Sequence, residues 1–350
     1  MTDPGNTGPA GPARWWTGPA LRLSAQLVGV VVILFAISLA IGPVNLSIGG
    51  VFAGLFGGAD ESARIIVQEI RLPRSLLALL IGVTLGLAGA SLQGLLRSPL
   101  AAPSLLGAPS AAAFAAVVAV ALGLVGVLST GMPIAAIIGA LASVGLLLLV
   151  AGPRASLLVL ILAGLSVSAL AAAGTALALN LAPTRFDDVE ISFWLLGSLE
   201  NRSMQHIAIA LPFMAVSWLL LSWDRTAFRA LTLGEEAAEG LGINMKAVRL
   251  RVVLGVAAGV GAAVAVAGAI GFVGLVAPQL MRPFVNHDPA RVLLPAALAG
   301  GALLLVADII VRLVPSASEI KVGIVTALIG VPIFILLIMQ HRRGLVGAPS

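Results

Sequence analysis

Phe272-Val273-Gly274-Leu275-Val276-Ala277-Pro278-Gln279 decides how this chain is read. The stretch joins two long apolar runs, roughly 250–269 and 292–314, and does not read as soluble core. Its own apolar run, 272–284, is short and carries a proline. Such a broken helix is tolerable in a bilayer only where protein or a water-filled path satisfies the freed backbone groups. The rest of the chain agrees. Of 350 residues, 59% are hydrophobic and only 10% are charged, whereas soluble domains carry about a quarter charged residues. The solvent is therefore lipid. Forty glycines and abundant alanine suit membrane helices, which pack through close backbone approach. The net charge is only +5 and the basic residues are scattered in short loops, which excludes nucleic acid as a partner. The absence of cysteine excludes disulfides, thiol catalysis and thiolate metal sites.

A helix needs about 20 apolar residues to cross the bilayer. Ten candidate spans fit: roughly 24–42, 75–96, 105–128, 133–150, 157–181, 206–222, 250–269, 272–284, 292–314 and 322–340. Pro133, Pro212, Pro278 and Pro332 mark ends, kinks or breaks. Residues 1–23 read as a disordered cytoplasmic tail, with Trp15 and Trp16 as interface anchors, and 343–350 as a short second tail. The run Leu27–Ile41 reads as a retained helix, not a removed signal peptide. With the N-terminus inside, the inner loops hold thirteen Lys/Arg and the outer loops seven, so both termini are expected in the cytoplasm. Ala88-Gly89-Ala90 before Pro99 and Ala267-Gly268-Ala269 before Pro278 share one spacing, which would fit an inverted repeat.

The chemistry expected of an enzyme is missing. His206, His287 and His341 lie far apart, no H-E-x-x-H is present, and no Gly-rich nucleotide loop occurs. No catalytic residue, metal site or cofactor is expected in this chain. The clear ionisable candidate at membrane depth is Asp308, which is either a coupling carboxylate or a local partner of Arg312 one turn on.

Four motifs together resemble one family. They are Arg71-Leu72-Pro73-Arg74-Ser75-Leu76-Leu77 with Gly82, Gly86, Gly89 and Gln93; Ser98-Pro99-Leu100-Ala101 with Leu105-Leu106-Gly107; Gly268 through Pro278; and Asp308–Arg312 with Val322–Thr326, Gly330 and Pro332. The chain resembles FecCD/BtuC-type permeases, subunits of ATP-driven type II ABC importers for iron-siderophores, haem and cobalamin. The family's usual Asn is Ser98 here, and its usual His after the proline is Gln279. The resemblance covers about residues 24–342 and implies an all-α, ten-helix BtuC-like fold in the bacterial inner membrane. The implied function is a permease for ferric-siderophore or haem. A cobalamin or oxyanion importer is the alternative, and an ion-coupled secondary carrier is the rival from another class. The implied partners are a second permease copy or a homologous permease, two ABC ATPases that bind ATP and magnesium, and a periplasmic or lipid-anchored binding protein.

The same resemblance implies three sites. Arg71, Arg74 and Arg312 match arginines that dock the binding protein, with helix anchoring as the other reading. The loop about 230–247 matches the coupling helices that engage the ATPase, through Leu233, Gly234, Glu235, Ala238, Leu241, Gly242 and Ile243. Leu233, Ala237 and Leu241 share a face by their spacing of four. Glycines 234, 240 and 242 would allow sharp turns around such a helix. The fifth and tenth spans would line the pathway, with Arg154 and Ser156 near the inner gate and Thr175 and Asn180 facing the lumen or packing.

Overall fold

The computed structural model describes residues 19–42, 44, 46–58, 60–123, 131–152, 157–181, 196–314 and 320–346. Every regular element among them is helical. The spans are α1 (Pro19–Ala40), α4 (Leu72–Leu95), α5 (Ala108–Ala121), α6 (Gly131–Ala151), α7 (Leu157–Leu181), α8 (Met204–Trp223), α11 (Met245–Ala267), α12 (Val273–Met281), α13 (Leu293–Leu313) and α14 (Val322–Val346). Short helices α2 (Ile48–Phe56) and α3 (Glu61–Ile65) precede α4; α9 (Arg225–Ala230) and α10 (Glu235–Gly240) link α8 to α11. All ten expected spans are found as helices. Among the described residues, seven are long and apolar enough to cross a membrane by length and composition.

Burial separates the centre from the rim. The most apolar stretch leading into α4 is 78% buried and that of α11 is 83% buried, against 28% for α7 and for α8. The reason lies in the glycines of α4. Gly82, Gly86 and Gly89 fall on one face, at spacings of four and three. A Cβ on Gly82 would lie 2.3 Å from the Gly300 carbonyl, and one on Gly86 2.2 Å from that of Ala296, both on antiparallel α13. Here the absence of a side chain is what permits backbone contact, the usual basis of membrane helix packing.

One span is shorter than expected, and the eighth is short, as expected. α5 has 14 residues and α12 only nine, about 21 and 14 Å at 1.5 Å per residue, against a hydrocarbon core of about 30 Å. Chain that is not α-helical leads into both: Ala101 and Ala102 with the 3₁₀ turn Pro103–Leu106 before α5, and Gly268–Phe272 before α12. Gly268 (φ 71°) ends α11, and Phe272 (φ 64°) opens α12 in the left-handed region. The second of these stretches is only partly buried: Gly268 is buried, Ala269, Ile270 and Phe272 are half-buried, and Gly271 is exposed. Ser198 donates to the Ala267 carbonyl (2.7 Å), and Val276 bonds back to Phe272 (2.8 Å).

Other expectations change. Ala88-Gly89-Ala90 is helical inside α4, whereas Ala267-Gly268-Ala269 turns out of α11, so the two stretches differ in local conformation. Between α1 and α4, α2 is capped by Ser47, which accepts from the Gly50 N–H (3.1 Å). α1 begins at Pro19 and α14 continues to Val346, so neither proposed tail boundary coincides with a helix end. Pro212, Pro278 and Pro332 all lie inside helices, and Pro133 sits in the first turn of α6.

Candidate docking, coupling and pathway sites

One rim of the bundle gathers the C-terminal ends of α1 and α13 and the N-terminal end of α4. A helix leaves its last four carbonyls without helical partners. On α1 two guanidinium groups take them up. Arg71 donates to the carbonyls of Leu39 (2.9 Å), Ala40 (2.8 Å) and Val44. Arg312 donates to those of Ser38 (2.8 Å) and Ile41 (3.3 Å). Positive charge also complements the negative end of a helix dipole. Gly42 leaves room for this, since a Cβ there would lie 2.8 Å from the Arg71 guanidinium. Asp308 is fully buried on α13 and accepts from Arg74 (2.8 Å) and Arg312. Ser38 and Ser75 share a hydrogen bond of 2.7 Å beside them.

The structure thus brings all three expected docking arginines together, but turned inward. Arg71 is 3% exposed, and the Arg74 and Arg312 side chains are 13% and 5% exposed. Their spacing in sequence carried no sign of this, because the carbonyls that Arg71 and Arg312 satisfy come from the end of α1 and the carboxylate that Arg74 meets comes from α13.

The opposite rim carries the link between α8 and α11. α9 is anchored by Phe228, fully buried against Gly94 of α4. A 3₁₀ turn, Leu231–Leu233, follows, and Gly234 (φ 112°) redirects the chain into α10. Gly242 (φ 85°) ends that helix, while Gly240 remains helical and needs no special backbone. Ala238 is buried and Ile243 packs on the core. Leu233, Ala237 and Leu241 face away from it, with Leu233 72% and Leu241 66% exposed. Ion pairs brace this platform. Glu235 meets Arg249 of α11 (2.6 Å), Asp224 accepts two bonds from Arg251 (2.6 and 2.7 Å), and Arg229 meets Asp288 in the α12–α13 turn. Sequence reasoning missed Phe228, Arg229, Arg249 and Asp288; only the fold brings their elements together.

Between the rims, Gly89 of α4 meets α12 so closely that a Cβ would lie 1.6 Å from the Gly274 carbonyl. Gln279, the departure from the family's His, is buried. It donates to the Gln93 side-chain oxygen (2.9 Å) and to the Pro99 carbonyl (2.6 Å). Gln93 donates onward to the carbonyls of Leu275 (3.3 Å) and Ala101 (3.4 Å). These two amides tie the broken span to the loop after α4. A cavity of about 160 Å³ lies beside it, lined by Leu85, Pro103, Val260, Ala263 and Phe272 among others. A groove of about 560 Å³ runs along the first half of α14 under Leu196 and Ala269.

Two of the four pathway candidates lie among the described residues. Thr175 and Asn180 donate to carbonyls four residues back on their own helix, both at 2.8 Å. Arg154 and Ser156 lie outside the described residues. Among the described residues no group of three potential metal ligands is found.

Residues 30–340 match the FecCD transport family. The chain is 37% identical, over 81% of its length and 86% of the relative's, to the vitamin B12 import system permease protein BtuC of Klebsiella pneumoniae. It is 35% identical to the hemin transport system permease protein HmuU of Yersinia pestis, over 91% and 96% of the two chains. Among solved structures it resembles a metal-chelate type ABC transporter in an inward-facing conformation, with a TM-score of 0.81 and 31% identity over 92% of this chain and 99% of that one. With its buried glycine seam, broken eighth span and helical platform, the chain belongs to the FecCD transport family and is a membrane permease subunit of a type II ABC importer.

Proposed function

We propose that this permease imports a ferric-siderophore or haem across the bacterial inner membrane. It would pair with a second copy or a homologous permease, two ATPases and an external binding protein. The platform rim is cytoplasmic in this reading, as are both termini, and the arginine rim faces out. The observation that carries it is the exposed row of Leu233, Ala237 and Leu241 on a braced base. Isolated exposed leucines need no explanation, but Leu233, Ala237 and Leu241 left exposed together on a loop held by ion pairs support a docking surface. Haem and iron-citrate permeases among the relatives support the iron-chelate substrate, and vitamin B12 permeases keep cobalamin as the second reading. A carrier working alone is disfavoured, because Asp308 is already held by two arginines and is not free to cycle a proton.

For Arg71, Arg74 and Arg312, position at the proposed outer rim supports a docking role, and their burial supports bracing that rim. The pathway would run between copies, along α7 and α14, with Arg154, Ser156, Thr175 and Asn180 as proposed lining. The test is reconstitution. Liposomes holding the permease, an ATPase and a haem- or siderophore-binding protein should accumulate substrate only with ATP inside the complex's reach. Uptake by the permease alone would overturn the reading, and uptake of cobalamin but no iron chelate would move it to the second.

A further inference from the structure

A second feature of the platform rim is not used by coupling. A cavity of about 270 Å³ opens where α1 begins, α8 ends and α13 begins. Arg225, Arg229 and Arg291 line it, together with Leu21, Trp223 and Leu294. Asp288 faces two of these guanidinium groups, from Arg229 and at 3.5 Å from Arg291. The Arg229 and Arg291 side chains remain 39% and 42% exposed. Trp223 is 66% exposed and Leu21 48% exposed, so the same opening has an apolar wall. Tryptophan at the end of a membrane span is favoured where a bilayer passes from acyl chain to headgroup, and Trp223 is the last residue of α8. A cationic floor beside an apolar wall, between transmembrane helices, has the chemistry of an anionic lipid site: guanidinium groups fit phosphate oxygens as a fork, and the wall takes glycerol and acyl carbons.

We propose that this cavity binds the phosphate headgroup of an anionic phospholipid of the inner leaflet, seated between α1, α8 and α13. The leaflet rests on the orientation proposed above; the lipid chemistry does not. A lipid held there would also touch Arg229, which joins the platform to the α12–α13 turn, and so would steady the rim on which coupling depends.

The test uses the full-length permease, delipidated in neutral detergent. Phosphatidylglycerol, phosphatidylcholine and inorganic phosphate are titrated separately, with native mass spectrometry and thermal unfolding as readouts. Phosphatidylglycerol should be retained and raise the melting temperature, and phosphatidylcholine should not. Arg225→Gln and Arg291→Gln should each weaken retention about fivefold, the effect of one basic side chain at an anionic surface. Thr226→Glu alters an exposed lining position and should weaken it comparably without touching the fold. Equal retention of both lipids, or retention unchanged in Thr226→Glu, overturns the site. Full stabilisation by inorganic phosphate alone overturns a lipid in favour of a free anion. Because the chain has no cysteine, Lys246→Cys reports orientation by itself. Labelling by an impermeant maleimide from the outside of cells would overturn the inner leaflet without touching the lipid result.

Discussion

Truncating Leu233 and Leu241 to alanine should uncouple the permease from its ATPase while leaving its own fold intact. Each change removes three carbons beyond Cβ. Buried carbons are worth about 0.8 kcal/mol each, so complete burial of either leucine tip is worth about 2.4 kcal/mol. An ATPase can remove from water only what the permease leaves exposed, 66% for Leu241 and 72% for Leu233. That yields about 1.6 and 1.7 kcal/mol, and about 3.3 kcal/mol together, or roughly a 250-fold loss of affinity. The assay is titration of the cognate ATPase onto permease in nanodiscs, with thermal unfolding of the permease in parallel. The single variants should weaken binding by about 15-fold each, with an unchanged melting temperature. Unchanged ATPase affinity in the double variant would refute the docking face. A lowered melting temperature would refute its exposure.

Asp308→Asn should lower the melting temperature sharply, because it leaves Arg74 and Arg312 without their shared carboxylate; breaking a buried pair costs about 3–5 kcal/mol, and an unchanged melting temperature would show the network to be dispensable. Gly89→Ala should destabilise by about 1–3 kcal/mol or more through overpacking against Gly274. Gly145→Ala, with nothing within 4 Å of its Cβ, is the neutral control, and equal expression and unfolding of the two would remove the case for a close seam. Gln279→Leu should cost about 1–3 kcal/mol by leaving the Gln93 amide oxygen and the Pro99 carbonyl without their donor, read as earlier unfolding; a neutral result would mean that water replaces the amide.

The ten spans were legible in the sequence because hydrophobic length is a one-dimensional property. A run such as 157–181 is helical in lipid whatever its neighbours do, since no water is present to satisfy the backbone otherwise. The turn glycines 234 and 242 were legible for a similar reason: positive φ is a local demand. The two leucines of the platform were expected on one helical face; both are exposed, but Leu233 lies in the 3₁₀ turn before Gly234 and Leu241 follows the last residue of α10. Tertiary structure alone decided the fate of the charges. Arg71 and Arg312 looked like rim charges in sequence, but the C-terminal carbonyls of α1 lie about 30 and about 270 residues away along the chain, and no local pattern encodes that meeting. The same holds for Gly89 with Gly274, for Gln93 with Gln279, and for the arginines that the ends of α8 and α13 bring to one cavity. Chain composition determines which segments enter the membrane. Packing determines which polar groups find each other there, because buried polar atoms must be satisfied by whatever the fold places within reach.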